Sequence, residues 1–271
     1  MYSAIGQFFT HLLKAILIPF CFIDFACYGY DIAKPKVAIC YWGLTRSTKK
    51  VYESHFKNLF DVLDEHEIAY DVFMHTWRTK SKQRVGDQEI ENAIDYGEYK
   101  FLNPKFYKID DQDLFTDSLN FDLYFYQHIW DTIGHDVNGE WPPRFIFNHL
   151  CALESQKRVT DMVLSSQNHY DLIMYVRPDA LLKNPFPIQM LARVKPGIIL
   201  IPNFDHFEGY NDRFAVLDYT TAPIYSKRID GIADFRRTQG RIVSEKYVKY
   251  VVDVNKLDVV LIDFYFDLVR P

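Results

Sequence analysis

An alternation of short apolar runs with an amphipathic stretch, beginning at Lys36, constrains the fold of this chain most. Val37-Ala38-Ile39-Cys40-Tyr41 ends in Trp42-Gly43 and is followed by Leu44-Thr45-Arg46-Ser47, which reads as a strand and a loop. From Ser47 or Thr48 to His66, apolar Val51, Phe56, Leu59, Phe60 and Leu63 recur at helical spacing. Tyr70-Asp71-Val72-Phe73-Met74 then reads as a second strand. Strands joined through a helix favour a parallel sheet.

Further along, Tyr170–Val176 runs directly into Arg177-Pro178-Asp179. This places a charged pair at the C-terminal end of a strand, the edge at which open α/β sheets bind ligands. Ile198-Ile199-Leu200-Ile201, closed by Pro202, is another strand, and Gly209-Tyr210-Asn211-Asp212-Arg213-Phe214-Ala215 follows it. Two charged loops after strands suggest a polar substrate. Phe145–Leu164 reads as a helix leading into the Asp171–Val176 strand, and Ser244-Glu245 opens another, through Val251, with a serine and an acidic first turn suited to capping. Between Thr79 and Pro143 the sequence is charged, Asp-rich and aromatic without a period. It reads as an insertion of short helices beside the sheet.

The 271 residues, 48% of them hydrophobic, can fill one large domain, placed at 36–271. A net charge of -5 gives no basic field for nucleic acid, although a local patch can still hold a phosphorylated small molecule. Cys21, Cys27, Cys40 and Cys151 include no CxxC pair, which points to free thiols in a reducing, cytoplasmic setting. Residues 1–35 form an apolar segment broken by His11, Lys14 and Pro19 and by Asp24. Its uninterrupted part is shorter than a membrane span, and Met1 to Thr10 holds no Lys or Arg. The expectation is a docked or interfacial helix, with a membrane anchor as the alternative.

Val37–Arg46, Tyr70–Trp77, Tyr170–Asp179 and Asn211–Ala215 together resemble glycosyltransferase-like proteins of GT-A type, a family found in bacteria and large DNA viruses. The likeness runs from about Lys36 to the C-terminus. It implies an α/β fold with a GT-A-like, Rossmann-type, mostly parallel sheet flanked by helices. It also implies a nucleotide-sugar donor bound across the C-terminal edge of that sheet, and a glycan, protein or lipid acceptor. Arg177-Pro178-Asp179 stands where many such enzymes carry Asp-x-Asp on a Mn or Mg ion, and here an arginine replaces the first carboxylate. Asp179 remains a candidate metal ligand, yet one carboxylate beside a guanidinium is a poor site for a hard cation. Arg177 can instead meet the diphosphate itself, or merely pair with Asp179.

Other donor-contact candidates are Arg46, after the Gly43 turn, with Arg213 and, more weakly, Lys157. Asp212 is the first candidate for the base that takes the acceptor proton, and Glu245 the second. Each has a bland alternative: a turn aspartate, a helix-start acid, a solvated basic side chain. The competing function is a catalytically silent nucleotide- or sugar-binding module of the same fold.

Overall fold

A computed structural model of the chain describes residues 34–80, 94–133 and 141–270, together with the backbone of 84–85 and 88–89. Of the N-terminal apolar segment 1–35, residues 1–33, Cys21 and Cys27 among them, lie outside the described residues. Among the described residues no helix is long and apolar enough to cross a membrane, and Cys40 and Cys151 are free and buried.

Strand β1 (Val37–Trp42) leads into helix α1 (Thr48–His55), a π-helical turn at Phe56–Phe60, and α2 (Asp61–Glu65). β2 (Tyr70–Arg78) follows, then a short antiparallel hairpin of β3 (Arg84–Val85) and β4 (Gln88–Glu89). The region read as an insertion contains a strand, β5 (Phe106–Asp111), that pairs in parallel with β2. Its sequence, Phe-Tyr-Lys-Ile-Asp-Asp, lacks a clean alternation because it forms the edge of the sheet, where side chains need not be apolar on either face. Helices α3 (Gln112–Asp117), α4 (Gln127–Ile133) and α5 (Pro143–Ser165) come next, followed by β6 (Leu172–Val176), β7 (Ala180–Leu182), β8 (Ile198–Pro202) and β9 (Phe214–Asp218). The chain closes with α6 (Ala222–Ser226), α7 (Ile232–Gln239), α8 (Ser244–Val254), β10 (Asp258–Ile262) and β11 (Phe266–Leu268).

Seven strands make the main sheet in the order β10-β8-β9-β6-β1-β2-β5. All its pairings are parallel except those of β9, which runs antiparallel to both β6 and β8. The fold is therefore α/β with a Rossmann-type, mostly parallel sheet. Side-chain alternation along the central strand divides the core. Val37, Ile39 and Tyr41 pack with Leu59 and Leu63 on one face, while Ala38, Cys40 and Trp42 pack with Val159 and Val163 of α5 on the other. Covering both faces is what makes β1 buried at every position.

α8 begins at Ser244 itself, one residue earlier than a Ser244 cap requires. Val243 is the cap residue and makes no side-chain cap bond, whereas Ser244 Oγ donates to Glu245 Oε2 at 2.8 Å. The capping expectation for Ser244 is thus corrected: Glu245, buried in the same turn, takes the hydroxyl that would otherwise reach the backbone.

Candidate functional site

The strand order reverses between β1 and β6. From β1 the chain builds outward to β2 and β5, then returns to place β6 on the other side of β1. That reversal opens a crevice at the carboxyl ends of the two strands. Trp42, Gly43, Leu44 and Arg46 enter it from β1, and Arg177 enters from β6. Because β9 is antiparallel, it starts at this same edge, with Phe214 in register with Val176. Asp212 and Arg213 are therefore carried to the crevice by the residues just before β9.

The C-terminal strand adds a component with no motif in the sequence. β11 pairs with β7 in the register Leu268↔Ala180, and Val269 N donates to Asp179 O at 2.9 Å. This lays Arg270 against Asp179, to which its guanidinium donates. β7 is itself pinned to the first helix region, since Asn58 Nδ2 donates to Leu182 O at 2.9 Å and Leu182 N donates to Ser54 Oγ at 3.0 Å.

The resulting pocket, about 360 Å³, is lined by four arginines, Arg46, Arg177, Arg213 and Arg270, and by one carboxylate, Asp212. Asp179 lies beneath it with no exposure. Arg177 grips it bidentately, Nε to Oδ1 and Nη2 to Oδ2, both at 2.9 Å, and Arg46 Nη2 stands 3.9 Å from Oδ2. Burial raises the Asp179 carboxyl, but Arg177, then Arg270 and Arg46, outweigh it and hold it at about 2. Burial pushes Arg46 down to about 10, against the pull of Asp179 and with the push of Arg270 and Arg177. One buried anion thus organises three cations. Arg177 also lies over the Trp42 ring, 4.9 Å from its centroid.

Gly43, at φ +96°, lets the β1 loop turn in a conformation that other residues rarely adopt. Its N–H donates to the buried Ser155 Oγ at 2.8 Å. Ser155 also meets His75 Nδ1 at 2.7 Å, and His75 Nε2 lies 3.3 Å from Asp110 Oδ2. Burial lowers His75 to about 4, with Asp110 opposing. A neutral ring that gives Nε2–H to Asp110 and accepts at Nδ1 satisfies this chain. Ser155 and His75 have no solvent exposure, so the trio fixes the loop and presents no reachable nucleophile.

On the opposite wall Arg213 is held by three carboxylates: Asp205 at 2.7 Å, Glu245 at 3.5 Å and Asp212 at 3.6 Å. Asp212 lines the pocket, whereas Glu245 sits behind it, 5% exposed. Burial, then the charge of Asp212, raise the Glu245 carboxyl. Gly209 makes this arrangement possible, because a Cβ there would stand 1.9 Å from the Glu245 carbonyl oxygen.

Arg46, Arg177, Arg213 and Asp212 thus converge on one pocket, with Asp179 below and Glu245 behind. Lys157 lies elsewhere: its Nζ pairs with Asp230 at 2.6 Å, and it does not line the pocket. Trp77, buried, gives its indole N–H to Cys151 O at 3.0 Å and reaches the pocket only as a wall. Arg270, Trp141, Asn148 and His149 also line the pocket and are absent from the sequence-based candidates.

A divalent cation needs several oxygen ligands. Both Asp179 oxygens already face guanidinium groups, Asp205 pairs with Arg213, and no group of three or more His, Cys, Asp or Glu among the described residues can hold a metal ion. The residues present do not fit such an ion.

No family model matches the chain, and no curated protein does. Among solved structures, the apo form of mouse xyloside xylosyltransferase 1 is similar, with 10% identity over 84% of this chain and 85% of that chain and a TM-score of 0.40.

Proposed function

We propose that this chain is a glycosyltransferase that moves a sugar from a nucleotide-sugar donor to an acceptor hydroxyl. One observation carries the reading: four arginines and a single carboxylate, Asp212, line a pocket at the point where the strand order reverses. Guanidinium groups suit phosphate oxygens because their paired N–H donors match the geometry of the anion. Arg46, Arg177 and Arg270 meet the donor diphosphate and stabilise the charge that grows on it as the sugar leaves. Buried polar atoms on this wall without a protein partner, Trp42 Nε1 and Arg46 Nε, are donors that a bound anion can satisfy. Asp179 serves as the countercharge that holds the arginines together before a donor arrives.

Asp212 is the base on this reading, taking the acceptor proton as the oxygen attacks. Glu245, behind it, and Arg213 position it. Lys157 has no part.

A thermal-shift screen against nucleoside diphosphates and nucleotide sugars, with and without manganese, tests the donor assignment, since a ligand at 100 times its Kd stabilises by about 2.7 kcal/mol. The expected result is a selective shift without metal. No shift with any of them rules out the donor assignment. Asp212→Asn is then expected to abolish turnover without weakening donor binding, and full activity in that variant rules out Asp212 as the base. Donor binding with no hydrolysis or transfer under any condition would instead mark a catalytically silent module.

A further inference from the structure

The arginine edge accounts for only half of the pocket. α5 turns Phe145, Asn148, His149 and Ala152 towards it, and Trp141 stands just before the helix. Positions three and four apart share one helix face, so these side chains form a continuous wall. The wall carries no formal charge. Trp141 and Phe145 meet edge-to-face with ring centroids 6.2 Å apart. Ile146, Leu150 and Leu153 face away into an apolar cluster with Phe235 and Tyr247, whereas Phe145 is 38% exposed.

His149 is 7% exposed, and its Nε2 has no hydrogen-bond partner. Burial lowers its pKa to about 4 despite the opposing charge of Asp212, so the ring is neutral at physiological pH. Its ring lies 6.0 Å from that of Trp141. An aromatic pair, an amide and a neutral imidazole therefore stand in sequence along one wall, close enough to Asp212 for its charge to be felt.

We infer that this wall is the acceptor subsite and that the acceptor is a saccharide; the inference rests on the transferase reading above. A sugar ring has an apolar C–H face and a rim of hydroxyls. The face matches Trp141 and Phe145, and the rim matches Asn148 and His149 one turn on. Arg144, the residue before Phe145, sets its guanidinium 5.1 Å from the Phe145 ring centroid, so the aromatic end of the wall has a cation beside it. His149 holds the reacting hydroxyl towards Asp212. The acceptor O–H bond then breaks with its proton passing to Asp212, and the oxygen bonds to the anomeric carbon. The bond from that carbon to the diphosphate oxygen breaks, its electron pair leaving with the nucleoside diphosphate among the arginines.

The test measures nucleoside diphosphate release by the full chain, with a panel of p-nitrophenyl glycopyranosides or of Ser/Thr-containing peptides as acceptors. Saccharides are expected to accelerate release and peptides are not. Phe145→Ala and Trp141→Ala are expected to raise the saccharide KM about three- to tenfold, the worth of one aromatic contact, with a smaller change in kcat. Phe145→Tyr should restore the KM, and because Phe145 is exposed its truncation leaves the core intact. His149→Ala should lower kcat more than it raises KM. Peptide-driven release, or saccharide KM values within twofold of wild type in both alanine variants, would overturn the assignment. A wild-type chain that shows the nucleoside diphosphate thermal shift but no saccharide dependence refutes the acceptor subsite alone; a chain without the shift refutes both readings.

Discussion

Asp179→Asn separates a countercharge from a metal ligand. The Asp179 carboxyl is depressed from 3.8 to about 2, and at about 1.4 kcal/mol per pH unit its charged form contributes about 2–3 kcal/mol to folding. Asparagine removes that contribution and leaves Arg46, Arg177 and Arg270 facing one another without an anion. Breaking a buried ion pair from one side typically costs about 3–5 kcal/mol, so the variant should lose more than the carboxyl shift alone suggests. For a chain of this size that is a fall of roughly 6–20 °C in Tm, read by thermal or urea unfolding.

Inorganic pyrophosphate, which can replace the missing negative charge, should raise the Tm of the variant more than that of the wild type, and without manganese. The linkage has a definite sign. A depressed carboxyl stabilises above its unfolded pKa, so the contribution of Asp179 is full at neutral pH and is lost as pH falls from about 4 towards 2. The acid limb of the wild-type stability curve over that window should flatten in the variant. A loss below about 1 kcal/mol would refute the countercharge argument. So would unchanged stability combined with lost manganese-dependent donor binding, which is the pattern of a metal ligand.

Three further outcomes follow from the same geometry. Gly209→Ala places a Cβ 1.9 Å from the Glu245 carbonyl oxygen, so the loop bearing Asp212 must move; a stability loss of about 1–3 kcal/mol and a larger loss of turnover than of donor affinity are expected, and wild-type kinetics would contradict this. Ser155→Ala leaves the Gly43 N–H and His75 Nδ1 without their partner and should cost about 1–3 kcal/mol in urea unfolding, whereas an unchanged midpoint would show that the loop does not depend on it. Arg270→Ala should weaken nucleoside diphosphate binding by the worth of a charged hydrogen bond, about 1.5–3 kcal/mol or roughly 10- to 150-fold in Kd, and calorimetry showing no change would remove the C-terminal strand from the site.

How much of this was legible in the sequence depended on how far each feature is carried by local pattern. β1, β6 and β8 are buried on both faces or nearly so and appear as unbroken apolar runs, while β2, equally buried, shows only the shorter apolar run Val72-Phe73-Met74 between Asp71 and His75. β5 shows no such run, because an edge strand with charged residues looks like a loop. The same contrast holds in the pocket. Arg46 and Arg177 each adjoin a strand that the sequence displays, so their place at the sheet edge could be anticipated, whereas the sequence shows Asp212 only as part of a charged loop following Ile198–Pro202, and it in fact precedes β9. Arg270 reaches the pocket only because β11 pairs with β7, a contact between segments about ninety residues apart that no local pattern encodes. His149 was hidden for a different reason. Its neighbours Ile146 and Leu150 give α5 the look of an ordinary core-facing helix, and only the tertiary placement shows that the face carrying Phe145, Asn148 and His149 meets Asp212 across a cavity. The donor half of the site follows strand ends, which local sequence can mark, while the proposed acceptor half follows the orientation of one helix, which depends on the packed core.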